Sequence, residues 1–68
     1  MDKWFLLYAT HNLPEASIIK GMLEENQVPA IIINKQDSNY HNFGEIEVYV
    51  PAYLKEIAKN LVDKSLLN

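Results

Sequence analysis

The sequence predicts an α+β domain with the element order β-α-β-β-α. Three observations carry the prediction: a short two-faced apolar run at the start, two stretches with helical periodicity, and a six-residue stretch that alternates strictly between apolar and polar. The 68 residues, 1–68, make a single domain. Of that chain, 49% is hydrophobic and 22% charged, an ordinary globular balance.

The first element is KWFLLYA, Lys3 to Ala9, too short for a useful helix and rich in aromatics, hence a strand. Strict alternation puts Phe5, Leu7 and Ala9 on one face and Trp4, Leu6 and Tyr8 on the other, so both faces are apolar. Next, Asn12 stands three residues before Glu15 in a capping-box spacing, with Pro14 in the first turn, where its missing N–H costs nothing. At 100° per residue Ala16, Ile18, Ile19, Met22 and Leu23 share a face, which predicts an amphipathic helix over 13–26. Gly21 falls on the outer side, where a glycine weakens the helix.

Val28 to Ile33 reads as a second strand, with Pro29 tolerated at its start or on an edge. Glu45 to Val50 reads as a third, with Ile46, Val48 and Val50 facing the core and Glu45, Glu47 and Tyr49 facing away. Pro51 ends it, and a helix follows over 53–66 with Leu54, Ile57, Ala58, Leu61 and Val62 inward. A right-handed crossover through the first helix makes strands one and two parallel. The third strand then slots between them, giving a three-stranded sheet of order 1-3-2 with both helices on one face. This is a ferredoxin-like arrangement without its fourth strand. Strand one, the most apolar, becomes an open edge.

Composition excludes several functions. A net charge of −3 disfavours nucleic acid and anionic membranes, and no apolar run is long enough to span a bilayer. Three aromatics on an open sheet face are reminiscent of RNA-stacking platforms, but that face carries Glu45 and Glu47 and the chain has no arginine. With no cysteine there are no disulfides and no thiolate metal sites. The lysine and short apolar run at the start fall short of a signal peptide. A cytoplasmic, complete small protein is therefore expected. No triad, nucleophile elbow or glycine-rich phosphate cradle is present, so no catalytic residue, cofactor or metal site is assigned. His11, His41 and Asp37 have ligand chemistry but no metal-site spacing.

Two surfaces remain. Trp4, Leu6, Tyr8 and Tyr49 on the outer sheet face and strand-one edge are the candidate partner face, to be covered by a second copy of the chain or another protein. The polar insert NKQDSNYHNFG, 34–44, shares one rim of the sheet with the residues that leave strand one. Thr10, His11, Asn12, Asp37, Tyr40 and His41 form the candidate rim, which could bind an anion or small metabolite. The plainer reading of the same residues is a helix cap and a solvated loop.

The stretch YATHNLPEASIIKGMLEENQVPAIIIN, followed by GEIEVYVP and a helix with Ala58 and Leu61, resembles a family of small bacterial proteins described as prokaryotic signal-transducing proteins, in effect a domain of unknown function. The resemblance spans about residues 4–62. Its markers include Thr10, Asn12, Glu15-Ala16, Ile19-Lys20, Leu23-Glu24, Val28-Pro29-Ala30, Asn34, Gly44 and Val48. It implies a fold like that of the PII-type nitrogen regulators, which are ferredoxin-like trimers with a partner-touching loop in the slot of residues 34–44. Those regulators bind nucleotide with elements after the second helix, so no nucleotide site is carried over. Tyr53-Leu54 departs from the family, which has acidic residues at that helix start.

Overall fold

The structure, a computed structural model, describes residues 3–37, 39 and 44–66. Five elements follow in the expected order: strand β1 (Trp4–Thr10), helix α1 (Leu13–Glu25), strands β2 (Ile31–Asn34) and β3 (Ile46–Pro51), then helix α2 (Lys55–Leu66), entered through a 3-10 turn at Ala52–Leu54. The sheet has the order β1-β3-β2. Both pairings with β3 are antiparallel, so β1 and β2 run parallel and each is an edge. Among the described residues no strand pairs with the other flank of β1, where a full ferredoxin-like sheet carries its fourth strand.

Local chemistry explains the element ends. Asn12 Oδ1 accepts from the Glu15 N–H at 3.0 Å and caps α1. At the other end Gln27 takes a left-handed φ of 62°. Its N–H donates to Glu24 O at 3.1 Å, and the Val28 N–H reaches back to Leu23 O at 2.9 Å. This is a Schellman terminator, with Val28 and Leu23 buried in contact with the same core. Val28, expected to open the second strand, is spent on that turn, and β2 starts only at Ile31, after Pro29 and Ala30. The second helix also starts later than expected: Pro51 still belongs to β3, and Ala52–Leu54 form a 3-10 turn before the α-helix begins at Lys55.

The core lies between the sheet and both helices. Ile46, Val48 and Val50 of β3 meet Ala16, Ile19 and Leu23 of α1 and Ala58 and Val62 of α2, with Val28 and Ala30 closing one end. Ala16 and Ala58 are the small residues at these helix–sheet contacts. Two expected core residues stay outside: Ile18 is 72% exposed and Ile57 53%. Each lies about 100° round its helix from a buried neighbour, and a single sheet covers only part of that arc. The molecule measures 35 × 35 × 15 Å, a two-layer slab with helices on one face of the sheet and, among the described residues, no element on the other.

The expected alternation fails once. Trp4, Phe5 and Leu6 pair with Pro51, Val50 and Tyr49, but Tyr8 pairs with Val48, leaving Leu7 as the extra residue of a β-bulge. Past the bulge the faces swap. Tyr8 and Thr10 join the helix side, and Ala9, opposite Glu47, turns outward.

Candidate functional site: the open sheet face and its rim

The strand registers build the outer face in rows. Trp4 lies opposite Pro51; Leu6, Tyr49 and Ile31 form a second row, and Ala9, Glu47 and Ile33 a third. The face is apolar at its flanks: Trp4 is 47% exposed, Leu6 43%, Ile31 38% and Ile33 40%. Trp4, Leu6 and Tyr49 therefore occupy the expected face. Tyr8 does not. The bulge turns it toward the helices, where it packs against the core and lines a groove with α2. Burial, and then the nearby Glu15 carboxylate of α1, raise its phenol above the ordinary tyrosine value.

At the centre of the face is a polar group that the alternating pattern presented as merely solvated. Glu47 is almost buried between its two strand neighbours. Its Oε1 accepts from the Tyr49 hydroxyl at 2.8 Å and from Lys35 Nζ at 3.1 Å. The Tyr49 hydrogen bond, then Lys35, hold the Glu47 carboxyl below its ordinary value against the opposing effect of burial. The same bond to Glu47 raises both Tyr49 and Lys35. The one nearly buried carboxylate is thus paired with a cation and a hydroxyl among apolar neighbours, which offsets the cost of placing it there. Ile31, Ile33 and Lys35 were not assigned to the face from sequence; their period of two, together with the β2–β3 register, is the signal that places them there.

The rim is organised by capping. The buried Thr10 hydroxyl donates to Glu15 Oε1 at 2.6 Å and accepts from the Asn12 N–H at 3.1 Å. The forward bond of the capping box, Glu15 N–H to Asn12 Oδ1, is thus direct, and its return half, from the Glu15 carboxylate to the Asn12 N–H, runs through the Thr10 hydroxyl. Gln36 Nε2 donates to His11 O at 2.9 Å and ties the two halves of the rim together. Beyond β2, Asn34 Oδ1 accepts from Gln36 N–H at 2.9 Å and Asp37 Oδ1 from Asn39 N–H at 2.7 Å, two successive side-chain turns. Gly44 completes the hairpin with φ of 80°; a Cβ there would lie 2.1 Å from Lys35 O, so only glycine fits. Thr10, Asn12 and Asp37 are therefore engaged in local structure, while the His11 side chain is exposed. Tyr40 and His41 lie outside the described residues.

No family model, curated protein or solved structure matches the chain. Among the described residues, no helix is long and apolar enough to cross a membrane. The fold and the face define the class: a two-layer α+β domain whose sheet presents an uncovered apolar surface with a neutralised polar centre.

Proposed function

We propose that this chain is a non-enzymatic regulatory binding module that self-associates through its outer sheet face, in a cytoplasmic setting to which a cysteine-free chain is suited. The observation that carries the reading is the set of four half-exposed apolar side chains, Trp4, Leu6, Ile31 and Ile33, around Tyr49 on a sheet face that no other described element covers. A surface of this kind is what one subunit offers another. A second copy suits it because the Lys35–Glu47–Tyr49 group is already charge-balanced, so like faces can meet without an unpaired central charge. The resemblance to small bacterial signal-transducing proteins supports a regulatory role, and the commitment of Thr10, Asn12 and Asp37 to caps and turns favours binding over catalysis.

The face is small, so association should be modest. In a dimer the four side chains of each copy are covered, about 8 kcal/mol in all at about 1 kcal/mol each, against an association cost of about 4 kcal/mol or more, which leaves about 4 kcal/mol or less and a dissociation constant of about millimolar or weaker. Sedimentation velocity over a concentration series tests this. The wild-type chain should sediment faster as concentration rises, and Trp4→Glu should remain monomeric, with Lys20→Glu on the opposite layer behaving as wild type. A wild-type chain that stays monomeric throughout, or dimers unaffected by Trp4→Glu, would overturn the reading.

A further inference from the structure

We propose that the outer faces of two copies meet with their strands reversed, β1 over β1, so that Trp4 of each copy seats on Ala9 of the other. The inference rests on the self-association proposed above and names the contact that fixes its orientation.

The outer face is tapered. Along β1 its outward residues run Trp4, Leu6, Ala9, from the largest kind of side chain to one of the smallest. The bulge at Leu7 creates this taper. Unbroken alternation would stand Tyr8 in the third row, and the shift of register puts Ala9 there instead, opposite Glu47. Trp4, 47% exposed, is also the most open of the four apolar side chains on the face. One end of the β1 side is therefore high and apolar, and the other end is low.

Two closed two-fold arrangements can stack such faces, each with its axis in the plane of contact. An axis along the strands lays β1 over β2 and sets each row on its own equivalent. Both Trp4 ends then fall together, and the faces splay at the Ala9 end. The same operation brings the two nearly buried Glu47 carboxylates toward each other, and like charges facing across a contact are costly.

An axis across the strands reverses the rows. The first row of one copy then lies on the third row of the other, and the central rows of Leu6, Tyr49 and Ile31 lie on each other. High end meets low end, so the two sheets keep the separation of about 10 Å at which sheet faces pack. The Trp4 indole fills the notch over Ala9. Glu47 faces Pro51 of the other copy and keeps its own bonds to Tyr49 and Lys35. Shape and charge thus select the same one of the two arrangements.

Paramagnetic relaxation tests the orientation. Trp4 is the only tryptophan, so its indole N–H gives a single resonance in an isotope-labelled copy. The second copy, without isotope, carries a nitroxide on a cysteine introduced into a chain that has none. Glu45→Cys places the nitroxide beyond the third row, and Pro29→Cys places it level with the first row beside β2; both positions are exposed. In concentrated mixtures of the two copies, the nitroxide at position 45 should broaden the Trp4 indole and the one at position 29 should leave it sharp. Stronger broadening from position 29 would put β1 over β2 and overturn the proposal.

A reversal of the taper gives a second measurement. Trp4→Ala and Ala9→Trp should each abolish the concentration dependence of sedimentation, the first by emptying the notch and the second by filling it. The exchange Trp4→Ala, Ala9→Trp in one chain should restore it, with circular dichroism checking that the fold is kept. A folded exchange variant that stays monomeric would overturn the Trp4–Ala9 contact. Wild type that self-associates without broadening from position 45 would overturn the orientation and leave self-association standing. Wild type that is monomeric at every concentration would remove both.

Discussion

Glu47 is the residue whose surroundings decide most about the open face. A carboxylate on the middle strand, flanked by Ala9 and Ile33, is tolerable because Tyr49 and Lys35 both bind one of its oxygens. The pH dependence follows from the shifts. Glu47 is depressed, so its contribution is complete above the ordinary carboxylate value and is lost as pH falls through the lowered one. Tyr49 and Lys35 are raised, so theirs are complete below their ordinary values and are lost as pH rises through the raised ones. The group therefore stabilises the fold across the neutral range and fades at both ends. Urea midpoints measured from acid to alkaline pH should show wild type above Glu47→Gln at neutrality, with the gap closing in acid. A gap that persists in acid would mean that the carboxylate's charge is not what matters.

At the level of elements, periodicity located every strand and helix, and the sheet order followed from crossover handedness and from the alternation of 45–50. What stayed hidden in the sequence were departures from periodicity that only the three-dimensional fit creates. KWFLLYA alternates without a break, and nothing in it marks Leu7 as a bulge; the bulge shows only in the pairing with β3, where Leu6 meets Tyr49 and Tyr8 meets Val48, and it moves Tyr8 from the partner face to the core side. The rim was half legible. Asn12 and Glu15 announced the cap, but the insertion of the Thr10 hydroxyl between them depends on the fold bringing the end of β1 back to α1. Gly21 had no evident reason in the sequence, and its surroundings supply none: a Cβ there would meet nothing within 4 Å. It lies instead beside the exposed Ile18 on the outer side of α1. Gly21→Ala should accordingly stabilise the chain by about 0.8–1 kcal/mol through helix propensity alone, measured by urea unfolding. A neutral or destabilising outcome would mean that the glycine relieves strain in the helix.

For the molecule as a whole, size and layering act together. A chain of 68 residues buries only about 60% of the surface its unfolded form exposes, and here that burial is concentrated on one side of one sheet. The second side carries Trp4, Leu6, Ile31 and Ile33, whose hydration is left unrelieved in the monomer. If a second copy covers them, folding and association are linked, and stability must depend on protein concentration. The dependence is calculable: about 1.4 kcal/mol per dimer for each tenfold rise in concentration once dimers predominate. Trp4→Glu separates this from monomer stability, because Trp4 is half exposed and its loss from the isolated slab removes little packing. Dilute wild type and dilute Trp4→Glu should therefore unfold at nearly the same urea concentration, and the two should diverge as both are concentrated, with only wild type gaining. Curves that stay parallel at every concentration would show that the face contributes nothing beyond the monomer. Equal gains in both would move the interface away from Trp4.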